Sequence, residues 1–512
     1  MTKEATYRVL LRPTEVELRA PAGTQLRDLL FEQGVEFPCG GQGRCRGCRV
    51  RVLAGAVEVN AAQRERLSEE ELKNGWRLAC QCRLTDDVVI ELRQWDAAIL
   101  VDESAFAFEP RLGLGVAVDL GTTTLVAQLL DLTTGHVMAV RTALNAQARY
   151  GADVMSRVGY AADKDHLLAL AQLIRRQIGS LIDQLIFASK ARRSDIRDVV
   201  LVGNTVMHHL FCGLDVEPLS HYPFEPQEGG LKTFGANDLG WNLEPGATIR
   251  FLPCLGGFVG SDVLAGVLAT RLAESQEMGA LVDLGTNGEI VVGNSARLLC
   301  ASTAAGPAFE GARISMGMRA ATGAISQVTV EDHHLDFRVL GNAAPQGLCG
   351  SGLVDAVAAG LDLEVIQPSG RFANGRKEWT LVPPVVLTQS DIRELQLAKG
   401  AIAAGFHILL DRLGASAGDV RKLYLAGAFG NYISHSSAQR IGLINLPVDK
   451  VNAAGNTALL GAKLALFSLD GEEGSYNGLL HKIEHVPLKA DAKFQDVFVE
   501  ELAFPEPSHV PS

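Results

Sequence analysis

Residues 113–137 read GLGVAVDLGTTTLVAQLLDLTTGHV, and residues 279–300 read GALVDLGTNGEIVVGNSARLLC. In the first stretch Val116, Val118 and Leu120 alternate along the chain, then Leu125, Ala127 and Leu129 do so after a tight turn. This is the two-residue period of paired strands. The turn Asp119-Leu-Gly121-Thr122-Thr123-Thr124 carries the chemistry. Gly121 lets the backbone come close to an anion, and the threonines offer N–H and hydroxyl donors to phosphate oxygens. Asp119 is placed to hold a magnesium ion through water, because magnesium keeps several of its waters. The second stretch repeats strand, turn and strand, with Asp283, Gly285, Thr286 and Asn287 in the equivalent places. One such turn is a modest signal; its recurrence predicts a duplicated fold with an anionic ligand in the cleft between halves.

Each half then closes on a strand that runs into a loop and a helix. The first is DVVLVGNTVMHHLFCG, with Gly203-Asn204-Thr205, and the second is KLYLAGAFGNYIS, with Gly427 and Gly430. The second glycine pair leaves a bare backbone on which a purine ring can lie. Taken together these landmarks resemble the actin, sugar-kinase and chaperone ATPase superfamily, a duplicated RNase H-like fold, and that resemblance implies ATP with Mg2+. No GxxxxGK[ST] pattern is present, so the phosphate loop is of a different kind from the P-loop. CASTAAGPAFEGARISMG (300–317) reads as a glycine- and alanine-rich loop and GLCGSGLVDAVAAG (347–360) as a tight loop running into an apolar helix; both can line the cleft, although for Cys349 close backbone packing is the preferred explanation. Residues 395–414 form an amphipathic helix whose Lys399 is expected at the surface. His208 and His209 are adjacent on a helix and face different ways, so both are expected to be structural.

The N-terminal region has another character. TYRVLLR and EVELRA read as a hairpin, QLRDLLFEQG as a helix ending at Gly34, CRVRVLAG and DVVIEL as strands, and AAQRERLSEEELKNG as one polar helix. Of nine cysteines, five lie in the first 82 residues. Cys39-x5-Cys45-x2-Cys48, inside FPCGGQGRCRGC, is followed at a distance by Cys80 and Cys82. Only one CxxC exists and no histidine is near, unlike the paired knuckles of structural zinc sites. Three thiolates from one loop and a distant fourth suit a [2Fe–2S] cluster, whose plant-type pattern has one residue fewer in the loop. Residues 1–93 resemble a β-grasp ferredoxin of the adrenodoxin-like subtype, which has this spacing. Cys80 and Cys82 share a strand face, and the resemblance favours Cys80 as the fourth ligand.

Lys plus Arg number 47 against 59 Asp plus Glu, a formal charge of −12. This argues against a nucleic-acid binder and against a polybasic membrane anchor. The start of the chain has no apolar signal region, and no stretch reaches the ~18 apolar residues of a membrane span. A cytoplasmic protein is expected, where disulfides are improbable.

Electron transfer through a ferredoxin does not need ATP, and phosphoryl transfer does not need a cluster. Their union suggests ATP used to enable an uphill electron transfer. Read in order, CGGQGRCRGC…RLACQ, VDLGTTT, LVGNTVMHHL, VDLGTNGE, STAAGPAFEGARISMGM, LCGSGLVD and LAGAFGN resemble the reductive activators of corrinoid proteins. The resemblance implies an ATP-hydrolysing iron–sulfur reductase that passes one electron to Co(II) in a corrinoid protein of a methyltransferase system, giving Co(I). For one electron a tenfold change in equilibrium is 59 mV, so ATP can offset on the order of a few hundred millivolts. The lack of a C-terminal cysteine cluster and the short linker set this chain apart from [4Fe–4S]-bearing members. The expected organisation is a ferredoxin domain at 1–93, a linker at 94–112, and ATPase halves at 113–275 and 276–505. An upstream electron donor is required, and a homodimer is compatible with this plan. Ser302 is the candidate group near cobalt, on a 300–317 loop facing the corrinoid. Competing readings are an activator of another low-potential enzyme, a redox-sensing ATP-binding module, and a small-molecule kinase with an accessory ferredoxin.

Overall fold

In the computed structural model, the described residues are 5–12, 16–31, 48–92, 108–151, 153–285, 287–311, 313–321, 323–430, 433–468 and 476–506. The N-terminal unit is a five-stranded mixed sheet. It comprises β1 (Thr6–Arg12), β2 (Val16–Pro21), β3 (Arg49–Ala54), β4 (Trp76–Leu78) and β5 (Val88–Leu92), in the order β2-β1-β5-β3-β4. β1 pairs antiparallel with β2, as the sequence predicts, and parallel with β5. Leu26 and Leu30 of α1 (Leu26–Phe31) are fully buried, together with Val9, Leu11 and Ile90. Residues 61–75 differ from the single helix expected. They fold as α2 (Ala61–Arg66) and α3 (Glu69–Lys73). Ser68 breaks the run because its side chain caps α3, reciprocated by Glu71, and this capping box competes with helix continuation.

The remainder contains two six-stranded sheets. The first runs β10-β11-β9-β6-β7-β8 and the second β21-β20-β12-β13-β14-β22. In the first, β6 (Leu114–Leu120), β7 (Thr124–Asp131) and β8 (Val137–Leu144) form an antiparallel meander, and β9 (Ile196–Val202) joins β6 in parallel. The long α5 (Lys164–Ser189) buries Leu170, Ile174, Ile178 and Leu185 behind this sheet, and the shorter α4 (Val154–Tyr160) lies beside it. α6 (Thr205–Cys212), β10 (Lys232–Gly235), β11 (Thr248–Phe251) and α7 (Ser261–Thr270) complete the half. The second half repeats the plan with β12 (Gly279–Leu284), β13 (Gly288–Gly293) and β14 (Leu298–Thr303). An insertion follows: β15 (Ala324–Glu331), β16 (His334–Val339), β17 (Gly347–Leu348), α8 (Gly350–Asp362), β18 (Glu378–Val382) and β19 (Val385–Thr388). The chain returns through α9 (Gln389–Arg412), β20 (Lys422–Ala426), α10 (Gly427–Gly430), α11 (His435–Arg440), β21 (Val451–Gly455), α12 (Thr457–Phe467), α13 (Tyr476–Leu480), β22 (Ile483–His485) and α14 (Phe494–Glu500). β20 lies parallel to β12 as β9 does to β6, so the duplication extends to sheet order.

The halves exchange helices. α12 packs on β6 and β9 of the first sheet, and α7 packs on β12 and β13 of the second. The two helices cross where a Cβ on Gly461 would lie 2.1 Å from the Ala265 carbonyl oxygen, an approach open only to glycine. At the described end of the linker, Phe108 meets Phe467 with ring centroids 4.4 Å apart. Arg111 donates to Leu466 O at 2.7 Å and pairs with Asp198 at 2.9 Å. Lys399, expected at the surface, is fully buried on α9 and donates to Ala503 O at 2.5 Å. Burial lowers its pKa to about 8. The C-terminal segment that covers it has no signature in the helix's own pattern.

Candidate functional site

Two sites take shape, one in each unit. In the N-terminal sheet, Cys48 precedes β3 and Cys80 lies in the short turn after β4; Ala79 N donates to Cys48 O at 3.0 Å and holds the two segments together. Cys48 Sγ and Cys80 Sγ are 3.3 Å apart and buried. That is too far for a disulfide and close enough for two thiolates to share one tetrahedral metal. Cys82 has a separate environment. Its thiol donates to Leu78 O at 3.1 Å, and burial pushes its pKa up to about 12. Cys39 and Cys45 lie outside the described residues, so the fit of the donor set rests here on Cys48 and Cys80.

The first of the two repeated hairpins, at 119–124, is held by polar side chains from its own half. Gly121 N donates to Thr124 O at 3.1 Å. Asn145 Nδ2 donates to Gly121 O at 2.9 Å, and Arg157 Nη2 to Thr122 O at 2.6 Å. Asn204 caps α6 by accepting from Met207 N at 3.0 Å, and its Nδ2 donates to Thr122 Oγ1 at 2.9 Å. Thr122 is therefore buried in the hairpin's support, whereas Thr123 and Thr124 line an open cavity. In the second hairpin Gly285 N donates to Asn287 O at 3.0 Å, and Thr286 lies outside the described residues. Gly427, at φ +84°, starts α10 against this turn; a Cβ there would sit 2.6 Å from Asp283 Oδ1 and 2.8 Å from Leu284 O. Gly430 packs on Leu425 of β20, where a Cβ would come within 3.1 Å of the backbone.

Between the hairpins four carboxylates affect one another. Asp119 is raised to about 6, by burial against a hydrogen bond from Asn456 Nδ2 at 2.8 Å. Asp283 is raised to about 7, by burial and then by Asp119. Asp262, in the first turn of α7, and Glu289 on β13 are both pushed upward, by burial first and then by neighbouring carboxylates. Like charges in a partly dry cleft favour the protonated forms, and a divalent cation reverses that preference. The sequence reading missed Asp262, Glu289, Asn456 and Arg157. Asp262 left a trace, as the sole acid in the apolar run 251–270. Asn456 meets Asp119 only because α12 crosses to the other half.

Ser302 differs from expectation in its setting. β14 continues through Thr303, so Ser302 pairs opposite Glu289 in the sheet and its Oγ donates to Glu289 Oε1 at 3.4 Å. The 300–317 segment is thus a strand end followed by a turn at Pro307–Glu310, because pairing with β13 outcompetes the loop. His208 and His209 are buried, as expected of structural residues. Burial lowers His208 to about 3, and its ring meets Phe251 edge-on with centroids 4.9 Å apart.

A cavity of about 250 Å³ opens beside the first hairpin. Its walls include Thr123 and Thr124, the α8 start at Gly350 and Ser351, and the stacked rings of Phe309 and Phe429, 4.8 Å apart. Arg27 and Asp28 of α1 also line it, and Asp28 forms an ion pair with Arg338 of β16. The N-terminal unit therefore contributes to the wall of this cavity beside the first hairpin.

Comparison with known proteins agrees with this construction. Residues 9–85 match the 2Fe-2S iron-sulfur cluster binding domain, residues 114–275 the RACo middle region, and residues 277–511 the C-terminal domain of RACo, the ASKHA domain. The chain is 36% identical over 418 residues to the corrinoid activation enzyme RamQ of Eubacterium limosum, covering 76% of this chain and 70% of that one. It is 26% identical over 380 residues to the [Co(II) methylated amine-specific corrinoid protein] reductase of Methanosarcina barkeri, covering 68% and 69%. A solved structure, the reductive activator for corrinoid, iron-sulfur protein, superposes with a TM-score of 0.71 at 27% identity, covering 99% of this chain and 100% of the other. Among the described residues no helix is long and apolar enough to cross a membrane. A ferredoxin unit, a duplicated ATPase cleft and relatives that carry both in this order have one reading: the chain belongs to the family of reductive activators of corrinoid proteins.

Proposed function

We propose that this chain reduces the Co(II) form of a corrinoid protein of a methyltransferase system to Co(I), with ATP hydrolysis making the transfer favourable. The observation that supports the reading is the placement of α1 of the ferredoxin unit, through Arg27 and Asp28, in the wall of a cavity that Thr123 and Thr124 of the first hairpin also line. Occupancy of the cleft can thereby be felt by the unit that holds the electron. Cys39, Cys45, Cys48 and Cys80 ligate a [2Fe–2S] cluster; the 3.3 Å Cys48–Cys80 separation and the separate hydrogen bonding of Cys82 support this choice. When bound, the cluster supplies a one-electron donor, oxidised by one electron as Co(II) gains one. Residues 1–93 form the donor unit, 94–112 the linker, and 113–275 and 276–505 the ATPase halves.

Gly121, Thr122, Thr123 and Thr124 position one part of the phosphate chain and Gly285, Thr286 and Asn287 the other, with Asn204 fixing the first turn. Gly427 and Gly430 serve the adenosine end. Asp119 and Asp283 hold Mg2+ through water, and their raised pKa values are the cost that the cation removes. The protein works in the cytoplasm, is reloaded by an upstream donor, and can act as a homodimer. The test mixes reduced protein with a Co(II) corrinoid protein and follows Co(I) absorbance with and without ATP. ATP-dependent Co(I) formation is expected; its absence with every corrinoid partner tried would overturn the reading.

A further inference from the structure

We propose that Gln81 is a positioning residue for the redox centre: its side-chain amide donates a hydrogen bond to Cys80 Sγ and raises the reduction potential of the cluster. This rests on the reading that Cys80 is a ligand. Gln81 Nε2 lies 3.6 Å from Cys80 Sγ, within reach of a sulfur acceptor.

The orientation of the amide follows from its neighbours. Asn60 caps α2, and its Oδ1 accepts from Gln63 N at 3.0 Å, so the oxygen end of Asn60 is committed. The end that remains, Nδ2, can only donate, and it faces Gln81 Oε1 at 3.2 Å. A donor needs an acceptor opposite, which fixes Gln81 with its oxygen toward Asn60 and its NH2 toward the sulfur. The opposite flip would set two NH2 groups against each other and a carbonyl oxygen against an anionic sulfur. The same turn is braced from inside by Gln63, fully buried, whose Nε2 donates to Glu58 O at 3.1 Å and whose Oε1 accepts from Leu78 N at 3.1 Å. The donor is thus held in place by a chain of amides rooted in a helix cap.

Hydrogen bonds to ligating sulfurs are among the levers that set cluster potentials. The reduced cluster carries one more negative charge, so a donor at the sulfur stabilises it more than the oxidised form. Gln81 then makes the centre easier to reload and a weaker reductant, which leaves a larger share of the uphill step to the nucleotide.

The test uses the full-length protein with its cluster loaded. Iron and sulfide per chain and the visible and electron paramagnetic resonance spectra report loading; a dye-equilibrated redox titration reports the potential. Gln81→Leu is expected to keep the cluster and to shift the reduced-to-oxidised ratio at fixed potential at least threefold toward oxidised, a lowering of about 28 mV at 59 mV per tenfold. Gln81→Met, which keeps the chain length without a donor, carries the same expectation if the leucine variant loads poorly. A fully loaded variant with an unchanged potential overturns the inference. Cys80→Ser separates this from the ligand assignment: an altered or absent cluster there, with no shift in the Gln81 variants, sinks Gln81 alone, whereas a native spectrum in Cys80→Ser sinks the assignment and the inference with it.

Discussion

The two repeated hairpins, at 119–124 and 283–287, share a sequence pattern and differ in what supports them. In the first, Asn145, Arg157 and Asn204 reach Gly121 O, Thr122 O and Thr122 Oγ1. In the second, among the described residues, Thr303 Oγ1 donates to Gly288 O at 3.0 Å, and the turn otherwise lies against the bare backbone of Gly427. Both turns meet a bare glycine, since a Cβ on Gly203 would lie 2.6 Å from Leu120 O, but among the described residues only the first adds a buried polar network. Repetition of a motif therefore does not imply repetition of its mechanics. The first turn is cradled by hydrogen bonds, whereas the second lies against the start of α10.

The largest effect is expected at the glycine contact of the second turn. Gly427→Val adds a side chain at positive φ into a 2.6 Å gap, so the second turn must move. A stability loss of about 3 kcal/mol or more and at least tenfold weaker nucleotide binding are expected, read by denaturant unfolding and calorimetric titration. Unchanged binding would show that the second turn does not depend on α10.

Arg157→Met breaks the other support. It removes the donors to Thr122 O and Gly151 O but roughly keeps the volume. A loss of about 2–3 kcal/mol is expected, from buried carbonyls left unpaired. Denaturation midpoints with and without nucleotide would show whether the first turn alone is affected.

pH sharpens the comparison further. Asp119 and Asp283 have folded-state pKa values of about 6 and about 7, above the 3.8 of the unfolded chain. The folded state binds more protons in this window, so stability is fully present below about pH 4 and is lost as pH rises through 6 to 7. Nucleotide-free protein should melt on the order of a few degrees lower at pH 8 than at pH 5.5 from these groups. Mg2+ with nucleotide should abolish the difference. A thermal scan at both pH values with and without Mg2+ decides it, and a flat profile without Mg2+ would contradict the charge arrangement.

The smallest effect is expected at Ser302. Its 3.4 Å hydrogen bond to Glu289 is long, and Ser302→Ala should change stability by less than about 0.5 kcal/mol. The same variant tests the role near cobalt that the sequence suggests: a large loss of Co(I) formation would support it, and an unchanged rate would remove it.

Much of the architecture was legible before any coordinates. Strand alternation around Asp119 and Asp283, and the recurrence of the turn, announced the duplicated sheets, because local periodicity reflects one-sided burial. The cysteine spacing announced a cluster, because ligation geometry restricts how far apart thiolates can lie on a short loop. What escaped was non-local. Arg157 looks like any polar residue of a short helix, yet it is fully buried against Thr122 O. Asn456 reaches Asp119 only through the exchanged helix α12. Lys399 sits on an amphipathic pattern whose polar face is covered by the C-terminal segment. The polar helix expected at 61–75 broke at Ser68 because a capping box is as local as the helix it interrupts.

By itself, then, the sequence determined the class of the protein: a thiolate loop on a small mixed sheet, followed by twin anion turns. Each of these depends on residues within one or two strands of each other. Tertiary structure alone decided which thiols meet, how four carboxylates crowd one cleft, and that the ferredoxin helix lines a cavity shared with the first hairpin. These contacts join residues that are not neighbours in the chain, 32 positions apart for Cys48 and Cys80 and 310 for Asp28 and Arg338, and they arise from sheet packing, helix exchange and domain docking, which leave no periodic trace in the chain.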